Sequence, residues 1–162
     1  MTENITNIVI AGLGGQGVLK ASDILSEVVF NAGLDVKKSE LHGMSQRGGS
    51  VSSEVRFGEK VLSPMVPAGE ADYLVVLATD QVENNRQVLR NEGVLITPDD
   101  IDDGKLPNKR SVNVALLGVL SRYLDLKEED WLKAVCDNLP EKLHEVNRQA
   151  FALGRKRVES RE

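Results

Sequence analysis

The segment that most constrains the fold is NIVIAGLGGQG, residues 7–17, in which a short apolar run ends in a cluster of glycines. Gly12, Gly14 and Gly17 satisfy the G-x-G-x-x-G spacing, which in phosphate-binding folds follows a strand and opens a helix. Glycine suits such a turn because it tolerates positive φ and lets a backbone or a phosphate approach closely. We therefore expect a strand–turn–helix unit whose candidate cofactor-binding or close-approach residues are Gly12, Gly14, Gly15, Gln16 and Gly17.

The sequence alone leaves two interpretations of this turn open. The amides at the start of the following helix would face an anion, whereas glycine-rich turns of this kind also serve packing alone. A dinucleotide site adds an acidic residue about 20 residues past the glycines, at the end of the second strand. Glu40 is the better match for that acid and Asp35 the poorer one, while Lys37 and Lys38 are not typical of an NAD site.

The composition of the chain excludes several classes of partner and of binding site. A net charge of −5 argues against nucleic-acid binding, which needs a basic surface. A single cysteine, Cys136, excludes an internal disulfide framework and an all-cysteine zinc or iron–sulfur site, so we expect a small buried residue on a helix and no metal site. No apolar run has transmembrane length, and residues 1–7 lack signal-peptide features, so we expect a cytoplasmic protein without membrane contact.

Hydrophobic periodicity predicts an α/β fold: a mainly parallel Rossmann-like sheet flanked by helices, with an added antiparallel hairpin and a helical C-terminal part. The 162 residues form one expected domain. The expected strands are residues 7–11, 34–40, 50–57, 73–78 and 94–96. Gly58 and Glu59 are expected to turn the chain, so that residues 60–63 return along strand 50–57 as the hairpin, before Pro64 and Pro67 end the pattern.

The expected helices begin with one at Val18 that Gly33 follows. A second helix is expected to start with Thr79 or Asp80 as its cap, to run through residue 91 and to end at Gly93. The remaining helices are expected at residues 113–123, 128–137 and 141–157. The charged residues 155–162 are expected to fray.

The segment after the second strand is dense in groups that can bind. Loops held by a rigid scaffold are where binding residues concentrate. The alternative is a solvated connection with glycines for its turns. The candidate partner-interface residues are His42, Gly43, Met44, Ser45, Gln46, Arg47, Gly48 and Gly49.

Several motifs carry a family resemblance. They are GLGGQGV at residues 12–18, SELHGMSQRGGSVSSEVRFG at 39–58, the Ser63-Pro64 step, GEADYLV at 69–75 and NVALLGVLS at 113–121. Together they resemble the gamma-type subunit of 2-oxoacid:ferredoxin oxidoreductases, and most of all the beta subunit of indolepyruvate:ferredoxin oxidoreductase. The resemblance covers nearly the whole chain. It departs from the family between residues 97 and 112, where the family usually has a longer stretch with a further helix and strand.

The resemblance implies an accessory subunit of a complex that oxidatively decarboxylates a 2-oxoacid with coenzyme A as co-substrate and passes electrons to ferredoxin. Thiamine diphosphate and iron–sulfur clusters are then expected in a catalytic partner subunit, with no cofactor in this chain. The isolated chain is expected to be inactive. Two alternatives stay open: a stand-alone nucleotide-binding Rossmann-like protein, and a non-catalytic interaction module.

Overall fold

The computed structural model describes residues 4–42 and 49–156, with His42 described by its backbone alone. Its strands are β1 (Thr6–Leu13), β2 (Asp35–His42), β3 (Ser50–Gly58), β4 (Ala71–Val76) and β5 (Leu89–Ile96). Its α-helices are α1 (Val18–Asn31), α2 (Val82–Asn85), α3 (Val112–Ser121), α4 (Glu128–Asn138) and α5 (His144–Arg155). Short 3₁₀ turns flank α2, connect β5 to α3 and precede α5.

The five strands form one sheet in the order β2-β3-β1-β4-β5. β3 runs antiparallel to both of its neighbours, whereas β4 is parallel to β1 and to β5. β1 is the central strand, and its residues from Ile8 to Ala11 are at most 2% exposed. This is the mixed α/β sheet with flanking helices and a helical C-terminal part that the sequence predicts.

The helices are distributed unequally over the two faces of the sheet. Residues of α1, α3, α4 and α5 form the main core together with Ile8, Ile10 and Val75, which point to one face. Val9, Leu74 and Val76 point to the other face. There they form a smaller cluster with Val82 of α2 and with apolar residues of the segments that adjoin β4 and β5. One face is therefore covered by four helices, and the other is covered by irregular chain.

Two glycines let α3 and α5 cross at backbone distance. A Cβ atom at Gly154 would overlap the carbonyl oxygen of Ala115, and one at Gly118 would overlap that of Phe151. Beside this crossing Trp131 of α4 packs on Phe151, with ring centroids 5.8 Å apart and both residues fully buried. α5 thus packs against α3, and α3 packs on the sheet in the main core.

The predicted hairpin through Gly58 and Glu59 is wrong, because residues 60–63 are not a strand. The antiparallel partner of β3 in sequence order is β2, in register from Asp35 opposite Gly58 to His42 opposite Val51. Residues 60–66 are instead held by side chains of the sheet. The Arg56 Nη1 donates to the carbonyl of Ser63 at 2.9 Å, and the Glu54 carboxylate accepts from the Val66 amide at 2.9 Å.

The predicted helix from residue 79 to 91 is also wrong in its extent. α2 has four residues, and neither Thr79 nor Asp80 caps a helix through its side chain. Leu89 opens β5 opposite Ala71, so the ladder of the parallel sheet overrides the local helical pattern. Gly93 lies inside that strand and does not end a helix. Val82 is buried as predicted, at 8% exposure.

Two smaller expectations change at the C-terminal part. Cys136 lies on α4 as predicted but is half-buried, not buried. Arg155 is not frayed: it ends α5, and its Nη1 donates to the Ser121 hydroxyl at 2.8 Å. The expectation for residues 157–162 falls outside the described residues.

Candidate functional site

The glycine turn lies between the end of β1 and the start of α1, at the carboxyl edge of the sheet. Gly15 and Gly17 have φ of +89° and +84°, a conformation that other L-residues rarely adopt. Gly17 is the N-cap residue of α1, and Gly14 and Gly15 are exposed. The predicted strand–turn–helix unit is therefore present, and its tip faces solvent.

Most of the polar groups of the turn are used internally. The Gln16 side chain folds back, and its Oε1 accepts a hydrogen bond from the Leu13 amide at 2.7 Å. The Gly14 amide donates to the Gly49 carbonyl at 2.9 Å. Within the described residues, the amides of Gly15 and Gly17 donate to no other group. Those two amides, together with the first amides of α1, which have no acceptor within the helix, are therefore available to an anion or a partner backbone.

Asn113 joins the turn to the first turn of α3. Its Nδ2 donates to the Gly17 carbonyl at 3.2 Å, and its Oδ1 accepts from the Val114 amide at 2.9 Å. Its side chain fills the space beside Gly17, where an added Cβ would lie 2.5 Å from Nδ2. Sequence reasoning did not single Asn113 out as a site residue, although it opens the NVALLG segment.

The loop between β2 and β3 reaches the glycine turn. Residues 43–48 and the His42 side chain lie outside the described residues, so the expected roles of His42, Gly43, Met44, Ser45, Gln46, Arg47 and Gly48 stay predictions. Gly49 is described, and its carbonyl holds the Gly14 amide. The structure thus brings one end of the loop against the turn.

The acidic residues considered for a ribose hydroxyl are engaged elsewhere. β3 separates β1 from β2, so the second strand is not the immediate neighbour of the glycine-bearing strand. Glu40 pairs with Lys38 at 3.5 Å, and Lys38 also pairs with Asp23 of α1. Asp35 accepts a hydrogen bond from the Val61 amide at 2.8 Å, which lowers the pKa of its carboxyl. This arrangement differs from a dinucleotide site in which the acid ends the adjacent strand.

An iron–sulfur cluster does not fit this chain, because such clusters need several thiolate ligands and Cys136 is the one cysteine of the sequence. Among the described residues, no three His, Cys, Asp or Glu side chains are grouped so as to hold a metal ion. No helix in the same part of the chain has the length and apolar character needed to cross a membrane.

Comparison with known proteins assigns the fold to a family. The sequence model of the pyruvate ferredoxin/flavodoxin oxidoreductase family matches residues 7–108 and 101–157. The chain belongs to this family. The match includes the glycine turn, the loop that follows β2 and the α3–α5 crossing.

Named members of the family share most of the chain. Subunit IorB of indolepyruvate oxidoreductase from Thermococcus kodakarensis is 34% identical, over 91% of this chain and 93% of the relative. Subunit PorC of pyruvate synthase from Methanocaldococcus jannaschii is 26% identical, over 86% and 89%. The keto/oxoacid ferredoxin oxidoreductase gamma subunit of Geobacter sulfurreducens shares the fold, with a TM-score of 0.78 and 24% identity over 93% of this chain and 94% of that one.

The alignment with one relative also contains gaps in this chain. The alignment with the Thermococcus relative runs over 190 residues but takes in only 91% of a 162-residue chain, so about 40 alignment positions have no residue here. The two segments matched by the family model overlap at residues 101–108. That overlap falls within the short connection that the sequence shows between residues 97 and 112.

Proposed function

We propose that this chain is the gamma-type subunit of a 2-oxoacid:ferredoxin oxidoreductase, folded as one domain over residues 1–162 and working in the cytoplasm. The observation that carries the proposal is the family match over residues 7–108 and 101–157. An indolepyruvate, arylpyruvate or pyruvate type of substrate is proposed. The higher identity to the IorB relative than to the PorC relative favours indolepyruvate.

In this proposal the chemistry belongs to the partner. Thiamine diphosphate and iron–sulfur clusters are held by a catalytic partner subunit, coenzyme A is the co-substrate of the complex, and ferredoxin is reduced through it. The absence of a thiolate set for a cluster in this sequence is consistent with that division. This chain contributes a surface, and the glycine turn and residues 42–49 are its proposed centre.

An exposed apolar surface beside the loop supports this placement. Leu41 is the last residue of β2 whose side chain is described and is 50% exposed, and Met65 is 61% exposed. The Ser39 hydroxyl donates to the Pro64 carbonyl at 3.4 Å, which brings the segment that carries Met65 onto the face of β2 that Leu41 shares. Large exposed apolar side chains next to polar binding groups are typical of protein–protein contacts.

Reconstitution tests the proposal. The chain is co-expressed with the thiamine diphosphate- and iron–sulfur-bearing subunit of the same organism, and ferredoxin reduction is measured with coenzyme A and each of indolepyruvate, pyruvate and 2-oxoglutarate. Indolepyruvate should give the highest kcat/KM, and the partner alone should be much less active. A partner that works equally well without this chain would refute the proposal.

Variants of the loop locate the contact. Arg47→Ala and His42→Ala should weaken assembly or turnover while the free chain stays folded. Each change removes a polar side chain that is proposed to contact the partner, and the bidentate pairing of the Arg47 guanidinium cannot be replaced by another residue. Arg148→Ala is the matched control, since Arg148 lies on α5, is about half exposed and, among the described residues, forms an ion pair only with Glu145 of the same helix. Wild-type assembly and turnover in both loop variants would show that the loop is a solvated connection.

A stand-alone nucleotide-binding role is the second candidate. The amides of Gly15 and Gly17 favour it, because they donate to no group among the described residues, while the ion pair of Glu40 and the position of β2 weaken it. Calorimetric titration of the free chain with NAD separates the two: micromolar binding would support the nucleotide role, and we expect none. The interaction-module alternative predicts assembly with a partner but no stimulation of 2-oxoacid oxidation.

A further inference from the structure

Asn113 is a buried polar residue in the first turn of α3, and it bonds to the glycine turn at residues 12–17. Its side chain is 7% exposed, and every residue of α3 from Asn113 to Ser121 is buried. Leu117 and Leu120 of the same helix are fully buried in the main core. α3 is therefore a fixed support to which the glycine turn is attached.

Beyond the ladder between β1 and β3, the other hydrogen bonds of the turn lie within it, in α1 or in the loop after β2. The amide and side chain of Gln16 both bond to Leu13, and the Ala21 amide of α1 donates to the Gly17 carbonyl. The Gly14 amide donates to the Gly49 carbonyl at the end of the loop. Among the described residues, Asn113 is the one side chain from outside the turn that forms a hydrogen bond with it.

Asn113 restricts Gly17 both by a hydrogen bond and by packing. Its Nδ2 donates to the Gly17 carbonyl at 3.2 Å, and its Cγ lies 3.2 Å from the place that a Cβ atom on Gly17 would take. Glycine adopts several backbone conformations with similar ease, so little besides its surroundings keeps Gly17 at φ +84°. The contact therefore holds the free amide of Gly17 and the exposed tip at Gly14 and Gly15 in one orientation.

We propose that Asn113 is a positioning residue for the contact between the glycine turn and the catalytic partner subunit. This inference rests on the proposed function. Because Asn113 is buried behind the turn, it acts through Gly17 and does not touch the partner itself. A turn that is already held in its binding conformation need not be ordered when the partner binds, and such preorganisation increases affinity.

Preorganisation predicts a particular kinetic effect. The apparent Kd rises as the fraction of molecules with a binding-competent turn falls. Loss of the Asn113 amide should therefore slow association, since fewer encounters meet a competent turn, and should leave dissociation nearly unchanged. Loss of a direct contact with the partner would instead speed dissociation.

A pair of asparagine variants separates positioning from a general loss of stability. Asn113→Leu removes the amide without changing the charge or much of the side-chain size. Asn147→Leu is the matched control, because Asn147 of α5 is 6% exposed and its Nδ2 also donates to a backbone carbonyl, that of Leu143, at 2.9 Å. α5 crosses α3 in the antiparallel direction, so Asn147 lies toward the end of α3 that is away from the turn. Each change removes one buried hydrogen bond, and the two should lower the stability of the free chain comparably.

NMR relaxation of the free chain tests the first step, and binding kinetics with the catalytic partner test the second. Backbone order parameters of residues 14–17 should fall in Asn113→Leu and stay at the wild-type values in Asn147→Leu. Association of Asn113→Leu with the partner should be about tenfold slower than that of wild type, with dissociation changed by no more than about twofold. Asn147→Leu should match wild type in both rates.

Three results would overturn this inference and leave the proposed function intact: unchanged order parameters in Asn113→Leu, wild-type association by that variant, or faster dissociation as its main effect. If Asn113→Leu does not fold, Asn113→Ser takes its place in both measurements. If neither variant folds, Asn113 is a determinant of folding and the inference is likewise overturned. A wild-type chain that does not bind the partner would refute the proposed function and this inference with it.

Discussion

Gly15 and Gly17 have the same left-handed backbone but different surroundings. An added Cβ meets open space at Gly15 and lies 2.5 Å from Asn113 Nδ2 at Gly17. The backbone cost of alanine should therefore be similar at both positions, about 1–2 kcal/mol, and only Gly17→Ala should add a steric cost. The comparison isolates the contribution of the Asn113 contact.

Urea unfolding of the two alanine variants checks this prediction. Gly17→Ala should lose more stability than Gly15→Ala, by about 1 kcal/mol or more. Asn113→Ala in the Gly17→Ala background should recover part of the difference, measured as a coupling energy in a double-mutant cycle. Equal losses at the two glycines, or strictly additive double mutants, would show that Asn113 does not restrict the turn.

At the crossing of α3 and α5, a glycine-to-alanine change should destabilise the protein instead of stabilising it. Glycine-to-alanine changes inside helices normally stabilise by about 1 kcal/mol. At Gly154 the new methyl group would overlap the Ala115 carbonyl, so Gly154→Ala should destabilise by about 2 kcal/mol or more. Gln149→Ala, at an exposed position of α5, is the control and should change stability little. Thermal unfolding of the two variants measures the difference, and a stabilised Gly154→Ala would mean that the helices do not cross at backbone distance.

The contact between α1 and α4 makes stability depend on pH. Burial, with the neighbouring Asp137 carboxylate, raises the pKa of Glu27 above its ordinary 4.5. The folded state then holds this proton more tightly than the unfolded state does, so stability from Glu27 is complete below 4.5 and is lost as pH rises through the raised value. Glu27→Gln keeps an acceptor for the Asn138 amide, which now donates to Glu27 at 3.3 Å, and cannot ionise.

Glu27→Gln should accordingly be more stable than wild type at neutral pH and equal to it near pH 4. Urea unfolding at several pH values measures the gap. Glu59→Gln, at an exposed position in the turn after β3, should show no such dependence. A gap that is independent of pH, or that grows toward acid, would contradict the assigned cause.

For the whole molecule, the composition predicts the behaviour of the free chain. With one cysteine in 162 residues, purified protein should be colourless and should not oxidise 2-oxoacids, because the proposed function assigns the redox centres to the partner subunit. Visible absorption spectra and turnover assays with the partner omitted test this. An iron–sulfur absorption band, or turnover by the chain alone, would refute it.

The sequence alone determined the features that depend on neighbouring residues. The strand, glycine turn and helix from β1 to α1 follow from local apolar periodicity and from the freedom of glycine at positive φ, including Gly33 at +88° after α1. The sequence also identified the family, because the motifs of the glycine turn and of the segment around residues 42–49 follow each other along the chain in the order typical of that family. Local patterns of this length leave few alternatives.

The tertiary structure alone decided the features that depend on residues far apart. Residues 82–91 are too short and too mixed for periodicity to separate helix from strand, and the hydrogen-bonding edge of β4 selects a strand from Leu89 onward. The insertion of β3 between β1 and β2, and the contact of Asn113 with Gly17 across 96 residues, likewise follow from long-range packing. Such pairings are fixed only when the whole sheet and its core form together, because their free energy comes from partners that no local window contains.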